Sequence, residues 1–108
     1  MNDRKRSSLL SMIGLAKKAG HAVCGTEQIC EAIRRGNKKI CLAIVSENAS
    51  DNTKKKLNDK CAYYGVKLIF VPATPDELGH IVGKSGTVAA VGIDDAGFAA
   101  AIENKLNL

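Results

Sequence analysis

The sequence predicts a three-layer α/β/α sandwich of about four strands, and three observations carry that prediction. Amphipathic helical stretches alternate with short apolar runs along the whole chain. The run Ile40-Cys41-Leu42-Ala43-Ile44-Val45 is apolar on both alternating faces, as a central strand covered on both sides requires. Of the 108 residues 45% are hydrophobic, but only 4% are aromatic and Trp is absent, so the core is aliphatic and alanine-rich. Strand order does not follow from this pattern.

In residues 7–18, apolar Leu9, Leu10, Met12, Ile13 and Ala16 recur at helical spacing, with Ser7 or Ser8 as the N-cap and Gly20 as the stop. Residues 21–24 read as a brief edge strand. The next helix opens at Gly25-Thr26 and closes on Arg34-Arg35-Gly36, burying Ile29, Ala32 and Ile33, with the two arginines favourable against its C-terminal dipole. After the strand at 40–45, a helix from near Ser50 to Tyr64 carries Leu57, Cys61 and Tyr64 at i, i+4 and i+7, and Gly65 ends it. Residues 66–71 form a second apolar strand, stopped by Pro72. Thr74-Pro75-Asp76-Glu77 has the form of a capping box with proline at the first helical position, opening a short helix through Leu78, Ile81 and Val82. Residues 83–87 are a loop, 88–93 a strand, and Phe98, Ile102 and Leu106 stripe a final helix.

A net charge of +5 points toward a polyanionic partner. The aromatic residues are Tyr63, Tyr64, Phe70 and Phe98, and both phenylalanines lie in apolar runs, so a base-stacking platform of the RRM or OB type is not expected. Cys24, Cys30, Cys41 and Cys61 show no C-x-x-C spacing and sit among apolar neighbours. They read as reduced, buried, small hydrophobes and not as a zinc site or a disulfide framework. Lys17 and Lys18 interrupt any signal-peptide core, and nothing approaches a membrane span, so a cytoplasmic chain without a membrane partner is expected.

Catalytic chemistry finds no constellation. His21 and His80 have no companion at metal-ligand spacing, and neither a Walker loop nor a nucleophile elbow is present. Asp94-Asp95 precedes a helix and reads as its cap, so neither metal, cofactor nor enzymatic activity is expected. A small hydrolase at Asp94 or His80 would need partners that the sequence does not supply.

What remains is a binding surface. A helix start presents unpaired backbone N–H groups and a partial positive charge, which attract phosphate, and polar Glu27, Gln28 and Glu31 stand where they can read bases. Lys84, Ser85, Gly86, Thr87 and Val88 form a second loop that could flank Gly25 and Thr26 in space. Lys17, Lys18, Lys38 and Lys39 lie at element ends close in sequence to this corner and are candidate auxiliary phosphate contacts. The plainer alternatives are a capped helix at Gly25-Thr26 and a solvated face at Lys54-Lys55-Lys56.

Gly25-Thr26-Glu27-Gln28 followed by Ala32-Ile33-Arg34-Arg35-Gly36, then Glu47-Asn48-Ala49-Ser50, Asp59-Lys60-Cys61-Ala62-Tyr63-Tyr64 and Glu77-Leu78-Gly79-His80 with Gly83-Lys84, occur in a specific order and spacing. With these landmarks the chain resembles the L7Ae/L30e/S12e family of small ribosomal and kink-turn RNA-binding proteins over nearly its whole length. Residues 52–61 resemble most closely the bacterial YlxQ-type subgroup, which is associated with genes for translation factors. The resemblance implies an L30e-like sandwich with a mixed four-stranded sheet over residues 1–108, no catalysis, and RNA held at the two loops. The family's kink-turn readers carry Asn, Glu and Lys where this chain has Glu27, Gln28 and Glu31. The expected partner is structured RNA, kink-turn-like or related and ribosomal, met by a monomer in ribosome or translation-factor complexes. The alternative is a protein-interaction module of the same fold that has lost kink-turn recognition.

Overall fold

The computed structural model describes residues 2–36 and 39–107. Its elements are α1 (Asp3–Lys18), β1 (Ala22–Cys24), α2 (Thr26–Arg35), β2 (Leu42–Ser46), α3 (Asp51–Tyr64), β3 (Lys67–Val71), α4 (Pro75–Ile81), β4 (Ala90–Ile93) and α5 (Ala96–Asn107). The strands form one mixed sheet in the order β1-β4-β2-β3. β2 and β3 run parallel, and β4 pairs antiparallel with both β1 and β2. Helices α1, α4 and α5 cover one face and α2 and α3 the other, the α/β/α sandwich that the alternating pattern predicts.

The period of two along each strand divides the core between these layers. Leu42, Ile44, Val91 and Ile93 enter the α1/α4/α5 layer, while Ala43, Val45 and Ala90 enter the α2/α3 layer. The second layer is thin because its sheet face is built from small residues. A side chain at Gly92 would stand 3.3 Å from Ile29 Cγ1 and 3.4 Å from Ile40 Cδ1, so its absence lets α2 lie close to the sheet. Ser46, a buried polar residue at the end of β2, donates its hydroxyl to the Ala73 carbonyl (2.5 Å) and accepts the Asn48 N–H (3.0 Å), joining two connections above the sheet.

Several boundaries differ from the sequence expectation. α1 starts at Asp3, and its N-cap is Asn2, which accepts the Lys5 N–H (2.9 Å), where Ser7 or Ser8 was expected. The added turn has no apolar stripe because tertiary contacts hold it: Arg6 donates to the Pro72 carbonyl (2.7 Å) and pairs with Glu77. β2 runs from Leu42 to Ser46 instead of over 40–45, since Ile40 is buried but outside the ladder. β3 begins at Lys67, one residue later than expected. β4 begins at Ala90 because Val88 gives its N–H to the Pro75 carbonyl (2.9 Å) and not to a neighbouring strand.

All four cysteines are free, but only Cys30 and Cys61 are buried; Cys24 and Cys41 are partly exposed. Burial pushes the Cys61 thiol up to about 11. Phe70 is 42% exposed, against the expectation from its apolar run, because β3 is an edge strand and the Phe70 ring lies beneath the Lys54 ammonium (5.9 Å). The capping box at α4 forms as read: Thr74 Oγ1 accepts the Glu77 N–H (3.1 Å) and the Glu77 carboxylate accepts the Thr74 N–H (2.8 Å).

The connection from α4 to β4 is folded down on α4 by main-chain bonds, from Gly83 to the His80 carbonyl (3.2 Å) and from Lys84 to the Gly79 carbonyl (2.9 Å). Gly79 permits this, because a Cβ on it would lie 2.0 Å from the Gly86 carbonyl oxygen, which is backbone and cannot swing away. Alanine in place of a helical glycine ordinarily gains up to about 1 kcal/mol. Here Gly79→Ala is expected to lose about 1–3 kcal/mol through the forced displacement of the loop. Urea denaturation checks it: the midpoint falls with an unchanged slope, and a raised midpoint would refute the close approach.

Candidate nucleic-acid interface

Gly25 joins β1 to α2. Its φ of 101° lies in the region that favours glycine, and its N–H reaches the Ala90 carbonyl (3.0 Å), continuing the β1–β4 pairing for one residue before the chain turns. No side chain caps the helix: Thr26 is its first residue, and its hydroxyl makes no capping bond. Gly25 is the N-cap of α2, as the plainer reading of Gly25-Thr26 has it, but it caps without a side-chain bond. The first N–H groups of α2 lack a side-chain acceptor and keep the partial positive charge of an open helix start. Gln28 folds back over this corner, since a Cβ built on Gly25 would lie 2.4 Å from Gln28 Oε1. Both glycine properties, the positive φ and the missing side chain, are thus used at one position.

Burial raises the thiol of Cys24, the residue before Gly25, and the charges of Lys17 and Lys84 act against that rise. Lys84 belongs to the exposed stretch Lys84, Ser85, Gly86 and Thr87, and the strand that follows this stretch meets the corner through the Gly25–Ala90 bond. Val88 differs from the expectation: it is 6% exposed and packs in the α1/α4/α5 layer, supporting the loop from beneath. Lys18 lies instead along a groove between α1 and α4 with Leu10, Gly14 and Ile81. Lys39 lines a cleft with Gly36 and Tyr64 at the far end of α2, which at ten residues is about 15 Å from Gly25. Lys38 falls outside the described residues.

Along the exposed face of α2, Glu27, Gln28, Glu31, Ala32 and Arg35 line an open groove. Its carboxylates are paired within the chain. Glu31 accepts from Arg34 Nη2 (2.6 Å) and Arg35 Nε (2.5 Å), and Glu27 pairs with Lys56 of α3. The hydrogen bonds from Arg34, and then from Arg35, hold the Glu31 carboxyl below the usual carboxylate range. Glu27 in turn raises Lys56. The Glu31 pairing is legible in the sequence as an i, i+3 and i, i+4 arrangement. Lys56 lies 29 positions from Glu27 and acquires its role only when α3 packs beside α2.

Asp94 and Asp95, expected together as a cap, have separate roles. Asp95 Oδ2 accepts the Phe98 N–H (2.9 Å) at the start of α5, whereas Asp94 Oδ1 lies 2.9 Å from His21 Nδ1 at the start of β1. His80 is exposed on α4. Among the described residues there is no group of three His, Cys, Asp or Glu side chains able to hold a metal ion, and no helix long and apolar enough to cross a membrane.

A model of the ribosomal protein L7Ae/L30e/S12e/Gadd45 family matches residues 7–103. The chain belongs to this family. Among relatives, it is 39% identical over 99 residues to the RNA-binding protein YlxQ of Enterococcus faecium, covering 92% of this chain and 91% of that protein. The RNA-binding protein YlxQ of Bacillus subtilis is likewise 39% identical, over 95 residues, with coverage of 88% and 87%. The large ribosomal subunit protein eL30 of Methanosarcina mazei is 30% identical over 82 residues, covering 76% of this chain and 74% of that one. These relatives of the L7Ae/L30e/S12e/Gadd45 chain are named as RNA-binding and ribosomal proteins, not as enzymes. Among solved structures, a Bacillus halodurans protein of unknown function superposes with a TM-score of 0.81 at 34% identity, over 93% of this chain and 97% of that one. The Giardia lamblia 15.5kD RNA binding protein shares the fold, with a TM-score of 0.73 at 18% identity over 99% and 88% of the two chains.

The Glu31 cluster sets a pH dependence. Because pairing lowers the Glu31 pKa on folding, its contribution to stability is present at neutral pH and is lost as pH falls through the folded value. An NMR titration of the Glu31 side-chain carboxyl is expected to give a midpoint below that of an unpaired glutamate. Arg34→Ala raises that midpoint more than Arg35→Ala, following the larger hydrogen-bond effect of Arg34; an unmoved midpoint in both variants would contradict the pairing.

Proposed function

We propose that this chain is a non-enzymatic, monomeric RNA-binding protein whose 108 residues act as one domain on structured RNA, kink-turn-like or related, within cytoplasmic ribosome or translation-factor complexes. The observation that carries the reading is the start of α2, which has no side-chain cap and has Gln28 folded over it, beside the Cys24 thiol on which the charges of Lys17 and Lys84 act. Phosphate binds to an open helix start and to the ammonium groups, while a base edge meets Gln28, whose amide both donates and accepts. The names of its YlxQ relatives support RNA as the ligand, and the match to eL30 supports a ribosomal context.

Relative to the kink-turn readers, Glu27, Gln28 and Glu31 change the chemistry of base reading. Intramolecular pairing of Glu27 and Glu31 reduces the repulsion that two bare carboxylates would exert on phosphate, and leaves Gln28 as the uncharged reader. RNA contact at this edge is therefore compatible with the acidic residues. The same residues favour the second reading, a protein-interaction module, because an acidic edge beside basic side chains also suits a mixed-charge protein surface. Nuclease treatment separates the two: it releases the protein from ribosome-sized complexes only if RNA holds it there.

Crosslinking in cells followed by sequencing identifies the preferred RNA, which then serves as the probe. If about four phosphates are neutralised, affinity falls on the order of a hundredfold for a fourfold rise in salt, and a flat response in a binding titration would reject the reading. Gln28→Ala is expected to weaken the preferred RNA more than a scrambled hairpin. Lys84→Ala weakens both alike and lowers the salt slope by about 1. Equal losses on Gln28→Ala would argue against base reading at this corner.

A further inference from the structure

Helices α2 and α3 lie side by side in the same direction: Glu27 at the start of α2 pairs with Lys56 in the first half of α3, and Ile33 and Gly36 at the end of α2 share a cleft with Tyr64 and Gly65 at the end of α3. The far end of the pair holds a feature that neither the core nor the Gly25 corner explains. Tyr63 is 83% exposed and Tyr64 43%, in a chain whose core is otherwise aliphatic. The two rings pack edge to face, with centroids 4.9 Å apart and planes at 74°. The Lys60 ammonium stands 5.9 Å from the Tyr64 ring centroid, so one ring carries the cation while the more exposed one keeps a face toward solvent. Lys56, Asp59, Lys60 and both tyrosines line an open hollow of about 580 Å³, and Lys39 shares a cleft with Tyr64 on the other side. The carboxylate in the hollow, Asp59, pairs with Lys55 (2.8 Å), which leaves the cations beside the tyrosines in excess.

We propose that the C-terminal ends of α2 and α3 form a second RNA-contacting surface, where an unpaired nucleotide stacks on Tyr63 while adjoining phosphates meet Lys60 and Lys39. The occupant follows from the combination of side chains. An exposed ring offers a π-face to any base, and cations spaced around it match the backbone of a single strand. Tyr64, edge-on to its neighbour, restricts the Tyr63 ring and lowers the ordering cost of stacking. Lys56 of the hollow pairs with Glu27 of the groove along α2, so an RNA whose structured part sits at Gly25 brings a flanking strand to the far end of the helix pair after about 15 Å. The proposal rests on the RNA-binding reading, but it concerns unstructured RNA at a separate place.

The chain supplies its own probe, because Tyr63 and Tyr64 are its only tyrosines and it has no Trp. Intrinsic tyrosine fluorescence therefore reports on this surface alone. Oligouridylate about eight nucleotides long, the order of a single-strand site, is expected to quench that fluorescence with strong salt dependence. By anisotropy of the end-labelled oligomer, Tyr63→Ala loses about tenfold in affinity, Tyr64→Ala less, and Lys60→Ala lowers the salt slope by about 1. Tyr63 and Tyr64 are exposed and Lys60 partly so, and circular dichroism melts confirm that each variant folds. Absence of quenching, or equal affinity of wild type and Tyr63→Ala for oligouridylate, would overturn the proposal even if hairpin binding at Gly25 persists. Quenching without any hairpin binding would support this surface while removing the reading for the Gly25 corner.

Discussion

Three consecutive residues before and at the start of β4 hold the molecule's upper end together. Val88 donates to Pro75 at the start of α4, the Ala89 carbonyl accepts from Ser46 at the end of β2, and the Ala90 carbonyl accepts from Gly25 at the start of α2. Each bond ties a different connection to one short stretch of main chain. The open helix start, the lysine-bearing loop and the β2–α3 turn are consequently positioned by backbone bonds and do not depend on side-chain packing between loops. Backbone groups that would otherwise be buried without partners are satisfied by the same arrangement. Small residues complete it: Gly92 lets α2 approach the sheet, and Gly79 lets the loop of Lys84 approach α4.

The electrostatics of α2 follow from this rigid placement. With α3 fixed beside it, Lys56 answers Glu27 across the helix pair, and Glu31 binds the two arginines one turn further on. Such exposed pairs contribute little to stability, because solvent screens them and long side chains lose freedom when held together. Their consequence is on charge distribution. The groove carries acidic residues whose charge is locally balanced by Lys56, Arg34 and Arg35, while the N–H groups at the helix start, without a side-chain cap, leave positive potential there. A helix with two glutamates among its first six residues thus keeps positive potential where it begins.

What the sequence made legible were features decided locally. The capping box at Thr74, the glycine stop at Gly65, the buried β2 and the alternation of helices with strands depend on neighbours within a few positions, and they appear as read. The helix start at Gly25 was also accessible, from a glycine opening an amphipathic run. Long-range contacts were not. The first turn of α1 is held by Arg6 reaching Pro72 and Glu77, 66 and 71 positions away, and Lys56 reaches Glu27 over 29. Val88 looked like a loop residue that could touch a ligand, yet its apolar side chain is better placed in the core. Lys18 and Lys39 were close to the corner in sequence only, because a helix carries its two ends well apart. The strand order, with β4 at the centre, has no signature in a pattern of burial.

That strand order also has a kinetic meaning. β4 is the last strand in the chain, yet it lies between β1 and β2, so the first two strands cannot be joined into one sheet until it arrives. The loop it closes back to Gly25 spans most of the sequence, and closing long loops before their contacts form slows folding. During synthesis, an emerging chain has α2 well before it has the main-chain bond that orients the start of α2. Competence to hold a ligand at that corner therefore appears late and together with the complete sheet. A partly made chain does not carry a working copy of the corner, and local opening of β4 in the finished protein would dismantle it in one step.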